Sequence, residues 1–176
     1  MRISGNPIAV QSQNWIYASF MELLASISYH EITVSMICRN AGIDRRTFYR
    51  YFDNKDDVLN SCMDKVFREY VERLGRIRSR KPLPYMRLFF EFWHAEYHAL
   101  LRALLRDRLL HAVFTDNERY LTEIARVVDA ARGRKSNGFE IAYRAGGLMN
   151  VLSSWLANGC IETPDEMAAI VAKVLR

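Results

Sequence analysis

Arg45, Arg46, Thr47, Tyr49, Arg50 and Tyr51 crowd into one run of seven residues, interrupted only by Phe48. Guanidiniums, a hydroxyl and phenols on the outer side of a short helix suit the major groove of duplex DNA. Arginine there pairs bidentately with guanine edges, and smaller groups contact thymine methyls and phosphates. Short polar helices are common, so the run gains its weight from its setting.

That setting is Ile32 to Leu59, ITVSMICRNAGIDRRTFYRYFDNKDDVL. Thr33 is suited to cap a helix, its hydroxyl satisfying an orphan N–H of the first turn. Val34, Ile37 and Cys38 recur at helical spacing, and Ala41-Gly42 breaks the run, with Gly42 fit for a left-handed stop. Asp44 can cap the next helix, about two turns long, whose apolar Phe48 and Phe52 lie four apart. The polar residues between them, Tyr51 included, are expected on its exposed face. Asn54 is placed to cap a third helix, with Lys55 in its first turn.

Capped helix, Ala-Gly turn, basic-aromatic helix and capped lysine, in that order, closely resemble the DNA-binding domain of the TetR/AcrR family of bacterial transcriptional regulators. The resemblance covers roughly Gln11 to Val66 and is sharpest at Ala41-Gly42-Ile43, at Thr47-Phe48-Tyr49-Arg50-Tyr51-Phe52 and at Lys55. It implies that Arg45, Arg46 and Tyr49 meet base edges, that Thr33, Thr47, Tyr51 and Lys55 meet phosphates, and that Arg50 belongs to the same DNA-binding surface. Two departures alter the reading. Asp44 stands where the family often has Ser, which costs nonspecific affinity beside phosphates. Arg46 stands where a small residue is usual, which should change the bases read, so the operator cannot be borrowed from a relative.

The chain has 176 residues, enough for one or two domains with a real core; half are hydrophobic and about a quarter charged. Its net charge of +5 is tempting to credit to DNA, but the distribution says otherwise. Met1 to Asn60 holds six basic and six acidic residues, whereas Ser61 to Arg106 holds ten against five. Local placement carries the argument: Thr33 to Lys55 has five Lys/Arg against two Asp. Cys38, Cys62 and Cys160 are odd in number and far apart, as expected of reduced thiols in a cytoplasmic protein. No signal peptide and no apolar run of membrane-spanning length is evident, so no membrane partner is expected.

In chain order, Met1 to Gln11 reads as a loose arm with Arg2 its one charge, followed by a helix over Ser12 to Ser26. Trp15, Ile16, Phe20, Leu23, Leu24 and Ile27 form the apolar stripe of that helix. From Lys55 to about Arg80 the pattern stays helical until Pro82 and Pro84 stop it. The domain boundary is placed inside this helix, giving a DNA-binding domain over 1–63 and a helical effector-binding and dimerisation domain over 64–176. Beyond Pro84 the spacing predicts helices over Tyr85 to Arg106, Asp107 to Phe114, from a cap at Asp116 to Ala131, and Phe139 to Asn158. Thr163, Pro164 and Glu166 mark the start of a last one. No strand pattern occurs, so the fold class is all-α, about nine helices as in the resembled family.

Two constellations stand in the second half. Phe89, Trp93 and Tyr97 on one helix, with Phe114 and Tyr143 elsewhere, could line an apolar effector pocket of the kind the family builds here; plain core is the alternative. Glu91, His94 and His98 share a helical face and could chelate a metal, but no third ligand of fixed spacing supports one, and neither metal nor cofactor is expected. There is no HExxH, phosphate loop or nucleophile elbow, so catalysis is not expected. Ile141, Leu148, Leu152 and Trp155 on one helix, with Ile170 and Val174 on the last, make apolar faces beside small residues. In the family these helices pair with their twins, which implies a homodimer; completing the protomer core is the alternative.

The expectation is therefore a cytoplasmic, dimeric transcriptional regulator of operator DNA, a repressor released by a small-molecule effector. Two alternatives stand beside it. One is a regulator or activator answering to a protein co-regulator, as in one branch of the family. The other, from a different class, is a helical metal-binding enzyme or scaffold.

Overall fold

The computed structural model describes residues 7–115 and 118–174 and divides into two compact units, Met1–Val66 and Phe67–Arg176. Ten α-helices and no strand occur among the described residues, so the fold is all-α. In the first unit, α1 (Pro7–Ser26) leads through a 3-10 turn at Tyr29–Glu31 to α2 (Val34–Ala41) and α3 (Arg45–Tyr49). The first twelve residues of α4 (Lys55–Leu74) complete that unit. Side chains from all four helices fill one small core, in which Ile16, Phe20, Ile37, Phe48, Phe52 and Val58 are almost fully buried. Polar side chains tie it down: Ser19 donates to the Ile37 carbonyl at 2.9 Å, and the hydroxyls of Tyr17 and Ser61 meet at 2.6 Å.

The arm expected over residues 1–11 is helical from Pro7, because proline at a first helical position loses no hydrogen bond and brings its φ preset. Arg2 lies outside the described residues. Trp15, expected in the apolar stripe, is instead 48% exposed. The buried face of α1 runs through Ser12, Ile16, Ser19 and Phe20, and Trp15 falls to one side of it. Helix α4 stops at Leu74, short of Arg80, as turn bonds such as Ile77 N–H to the Leu74 carbonyl replace the helical ladder.

The second unit adds α5 (Leu83–Ala95), α6 (His98–Arg106), α7 (Leu110–Thr115), α8 (Glu118–Arg132), α9 (Gly138–Ala157) and α10 (Pro164–Val174). Helix α5 packs most extensively against α10, and α8 lies on α9. Phe67, Tyr85, Phe90, Phe92 and Trp93 are fully buried, and edge-to-face pairs such as Phe90–Trp155 at 5.4 Å knit the core. The single helix expected over Tyr85–Arg106 is broken at Glu96–Tyr97. Arg73 pairs with Glu96, and Tyr97 donates to Glu69 at 2.7 Å, so side-chain anchors hold the break where no proline or glycine marks it. The cap expected at Asp116 lies outside the described residues. At α10 the Thr163–Glu166 box forms as the sequence implies, with Thr163 N–H on the Glu166 carboxylate at 2.8 Å.

Candidate nucleic-acid interface

The exposed basic face is built by local chain chemistry. Thr33 caps α2, accepting the Met36 N–H at 3.3 Å, and Gly42 ends it at φ 66°, a left-handed conformation that glycine adopts without penalty. Asp44 caps α3 by accepting the Thr47 N–H at 2.6 Å. That backbone hydrogen bond holds the Asp44 carboxyl below its ordinary range, so the cap is charged near neutral pH. Phe48 is fully buried against Phe52, their ring centroids 5.8 Å apart, which turns the opposite side of α3 outward.

On that outer side Arg45, Arg46, Tyr49 and Arg50 are exposed, and Thr47 is half-buried. Arg45 is braced. Its guanidinium donates to the Tyr49 hydroxyl at 3.1 Å and to Ser35 Oγ of α2 at 3.4 Å, and it lies 5.7 Å from the Tyr49 ring centre. The bond to Tyr49 raises its already high pKa, so the cation is permanent. Ser35 was not among the residues singled out from the sequence; only the facing of α2 and α3 brings it to Arg45.

Two expected contacts sit differently. Tyr51 is buried at 8% exposure, one residue past the last turn of α3 and outside the exposed face expected for it. Its N–H bonds the Phe48 carbonyl in a turn that swings the side chain toward the core. Lys55 is half-buried, and its ammonium donates to the carbonyls of Tyr29 at 2.7 Å and Ile32 at 3.0 Å while resting 4.4 Å from the Tyr29 ring centre. Within this unit it therefore ties the 3-10 turn to the start of α4. Burial and the neighbouring Asp56, to which Tyr29 donates, push the Tyr29 phenol far above its usual range, so it remains a neutral donor.

Residues 16–62, which span this whole arrangement, match the model of the bacterial regulatory proteins of the tetR family. The N-terminal unit belongs to the tetR family. The HTH-type dhaKLM operon transcriptional activator DhaS of Lactococcus lactis is 36% identical over 63 residues, 36% of this chain and 34% of the relative. The fatty acid metabolism regulator protein of Bacillus subtilis is 37% identical over 54 residues, 31% of this chain and 28% of the relative. The matched segment thus spans about a third of these curated relatives. The fold likeness runs further: a TetR-family transcriptional regulator from Syntrophomonas wolfei superposes with a TM-score of 0.74 at 16% identity, over 94% of this chain and 93% of that one.

Beyond this tetR-type domain, the second unit holds a cavity of about 130 Å³ walled by α4, α5, α8 and α9. Phe89, Trp93 and Phe114 of the expected pocket set line it. Tyr97 does not, being drawn to Glu69, and Tyr143 is 78% exposed on the outer side of α9. Ile141 and Leu148, expected at a dimer face, line the cavity. Leu152 and Trp155 are buried within the protomer, where Trp155 Nε1 donates to the Glu162 carbonyl at 3.0 Å. The expectation is corrected there, because the face of α9 that carries them packs inward. Ile170 and Val174 are exposed, as are Phe139 and Tyr143.

His94 and His98 sit with ring centroids 5.4 Å apart, but His94 lies 5.2 Å from the Trp155 ring and His98 is 4.0 Å from Cys160 Sγ. Burial foremost, then the neighbouring His94, lowers the His98 pKa. Among the described residues no three His, Cys, Asp or Glu side chains are grouped to hold a metal. No described helix is long and apolar enough to cross a membrane.

Proposed function

We propose that the chain is a dimeric, sequence-specific DNA-binding transcriptional regulator, a cytoplasmic repressor released by a small-molecule effector and not an enzyme. The carrying observation is the braced guanidinium of Arg45 beside exposed Arg46, Tyr49 and Arg50 on a helix fixed by the Gly42 stop and the Asp44 cap. Arg45, Arg46 and Tyr49 read base edges in the major groove, while Thr33, Thr47 and Arg50 hold phosphates. Lys55 and Tyr51 support the head from beneath, Lys55 through the carbonyls it already serves.

A second copy fits the apolar side chains left on α9 and α10: Phe139, Tyr143, Ile170 and Val174. Twofold symmetry then presents two reading helices to a palindromic site about one DNA turn long. Release follows if an occupant of the second-unit cavity favours a dimer geometry that cannot span the site. Helix α4 is the natural lever, since Phe67, Tyr70 and Leu74 wall the cavity and its first turns belong to the DNA-binding unit. Effector and DNA then oppose each other by one coupling energy.

Fluorescence anisotropy with DNA from upstream of the chain's own gene tests the reading. Tight binding that falls steeply with salt and is competed poorly by scrambled duplex is expected. Binding indifferent to both salt and sequence removes it. The likeness to DhaS, a transcriptional activator, favours a second reading in which the same DNA-binding protein activates. A reporter driven by the bound promoter, with and without the chain, separates the two signs.

A further inference from the structure

The cavity of the second unit has one charged end. Along α5 its wall runs from Pro82 to Trp93, and along α8 from Leu121 to Arg132. Each path is about 16 Å long at the helical rise, so a void of about 130 Å³ is narrow for its length. Nearly all of the wall is hydrocarbon or aromatic ring. The exceptions, Asp129, Arg132 and Arg144, gather where α8 ends and α9 begins.

Their pairing leaves one cation over. Asp129 is buried and satisfied by Ser136, whose N–H and hydroxyl donate at 2.6 and 3.1 Å. Arg134 and Arg144 stand 3.7 and 3.9 Å from the same carboxylate, and Arg134 also reaches Glu140 at 4.0 Å. Arg132 has no ion pair among the described residues; its Nε donates to the Arg80 carbonyl at 3.1 Å. It is half-buried, beside two like charges, and desolvation followed by those neighbours lowers its pKa. A desolvated guanidinium without a carboxylate is a costly arrangement unless an anion completes it.

We propose that the cavity takes an unbranched apolar monocarboxylate of medium length, its carboxylate on Arg132 and its chain lying along α5 toward Trp93. The inference rests on the reading of this chain as an effector-responsive regulator and names the effector's chemistry. Width excludes fused rings, length excludes long acyl chains, and the spare guanidinium selects an anion over a neutral or cationic head.

Calorimetric titration of the full chain with decanoate, decanol, decylamine and hexadecanoate tests it. Decanoate should bind and raise the melting temperature, while decanol binds at least about tenfold more weakly, because a charge-assisted hydrogen bond is lost. Hexadecanoate should be rejected. Arg132→Gln should lose the preference for decanoate over decanol, and Ala125→Leu, which fills the apolar wall, should weaken both. Equal binding of decanol and decanoate, preferential binding of decylamine, or an Arg132→Gln protein that still prefers the acid overturns the proposal. So does the absence of binding by any probe. Anisotropy on promoter DNA without ligand is read in parallel. Intact DNA binding with no carboxylate binding defeats the ligand class alone, and absent DNA binding defeats the regulator reading whatever the titration gives.

Discussion

The two units of this chain carry their chemistry in opposite places. In the first, the working groups are on the outside and short-range bonds aim them: a cap at Thr33, a left-handed glycine at 42, a cap at Asp44 and a brace from Tyr49 to Arg45. In the second, the working surface is a void, enclosed by aromatic and aliphatic side chains brought together from four helices. A surface aimed by neighbours in sequence can change one contact at a time. A void enclosed by distant residues changes shape whenever any wall changes. Mutations should therefore separate the units: function lost with the fold intact in the first, fold and ligand response lost together in the second.

The largest effect expected is in the second unit. Trp93 is fully buried and touches Phe67, Tyr70, Phe92 and Phe114. Trp93→Ala should cost about 3–5 kcal/mol, read as a lowered urea midpoint. A midpoint within error of wild type breaks the comparison at once. Next, Arg45→Ala should weaken operator binding by roughly tenfold to a hundredfold while the melting temperature stays unchanged. A comparable loss of stability would mean that the exposed face is structural. Gly42→Ala should destabilise by about 1–2 kcal/mol although nothing lies within 4 Å of the added methyl, because the strain is conformational. Differential scanning calorimetry measures it, and Gly42→Asn, which tolerates the left-handed region better, should recover part of the loss.

The smallest effects concern titration. Burial pushes the Cys62 thiol up to about 12, from an ordinary value near 9.0. Since the folded pKa is the higher one, its contribution to stability is complete below about pH 9 and is lost as pH rises toward 12. Alkylation at pH 8 should mark half-buried Cys160 before Cys62; early labelling of Cys62 would show that the core opens locally. The Asp44 carboxyl runs the other way. Its pKa is lowered, so its cap is present above the ordinary carboxylate range and fades as acid carries pH through the depressed value. A DNA-binding titration in which Asp44→Asn is insensitive to that fall, while the parent is not, sharpens the assignment.

The same contrast explains what could be read from the residues alone. Thr33, Gly42, Asp44 and the Thr163–Glu166 box are local devices, and each stands where its chemistry places it. Non-local packing decided the rest. Nothing beside Tyr51 in the sequence says that its ring turns inward, and a helical wheel of α9 could not show that Leu152 and Trp155 face their own core rather than a second copy. The break at Glu96–Tyr97 depends on Arg73 and Glu69, more than twenty residues away. One local signal was overlooked: Asn137 and Glu140 form a capping box that starts α9, concealed by the polar run that precedes it. The cavity had no local signal at all, since Arg132 is set apart from Arg134 and Arg144 only by which of them reaches an acid.

The brace on Arg45 also bears on how such a protein can change its target. Ser35 and Tyr49, on adjacent helices, hold the guanidinium in place before any duplex arrives. Little conformational freedom remains to be surrendered on docking, so a stiff side chain discriminates sharply and adapts poorly. Replacing Arg45 by itself would strand its two supports, and replacing either support would loosen it. New binding preferences are then reached through concerted changes at all three positions, and single substitutions should be strongly epistatic.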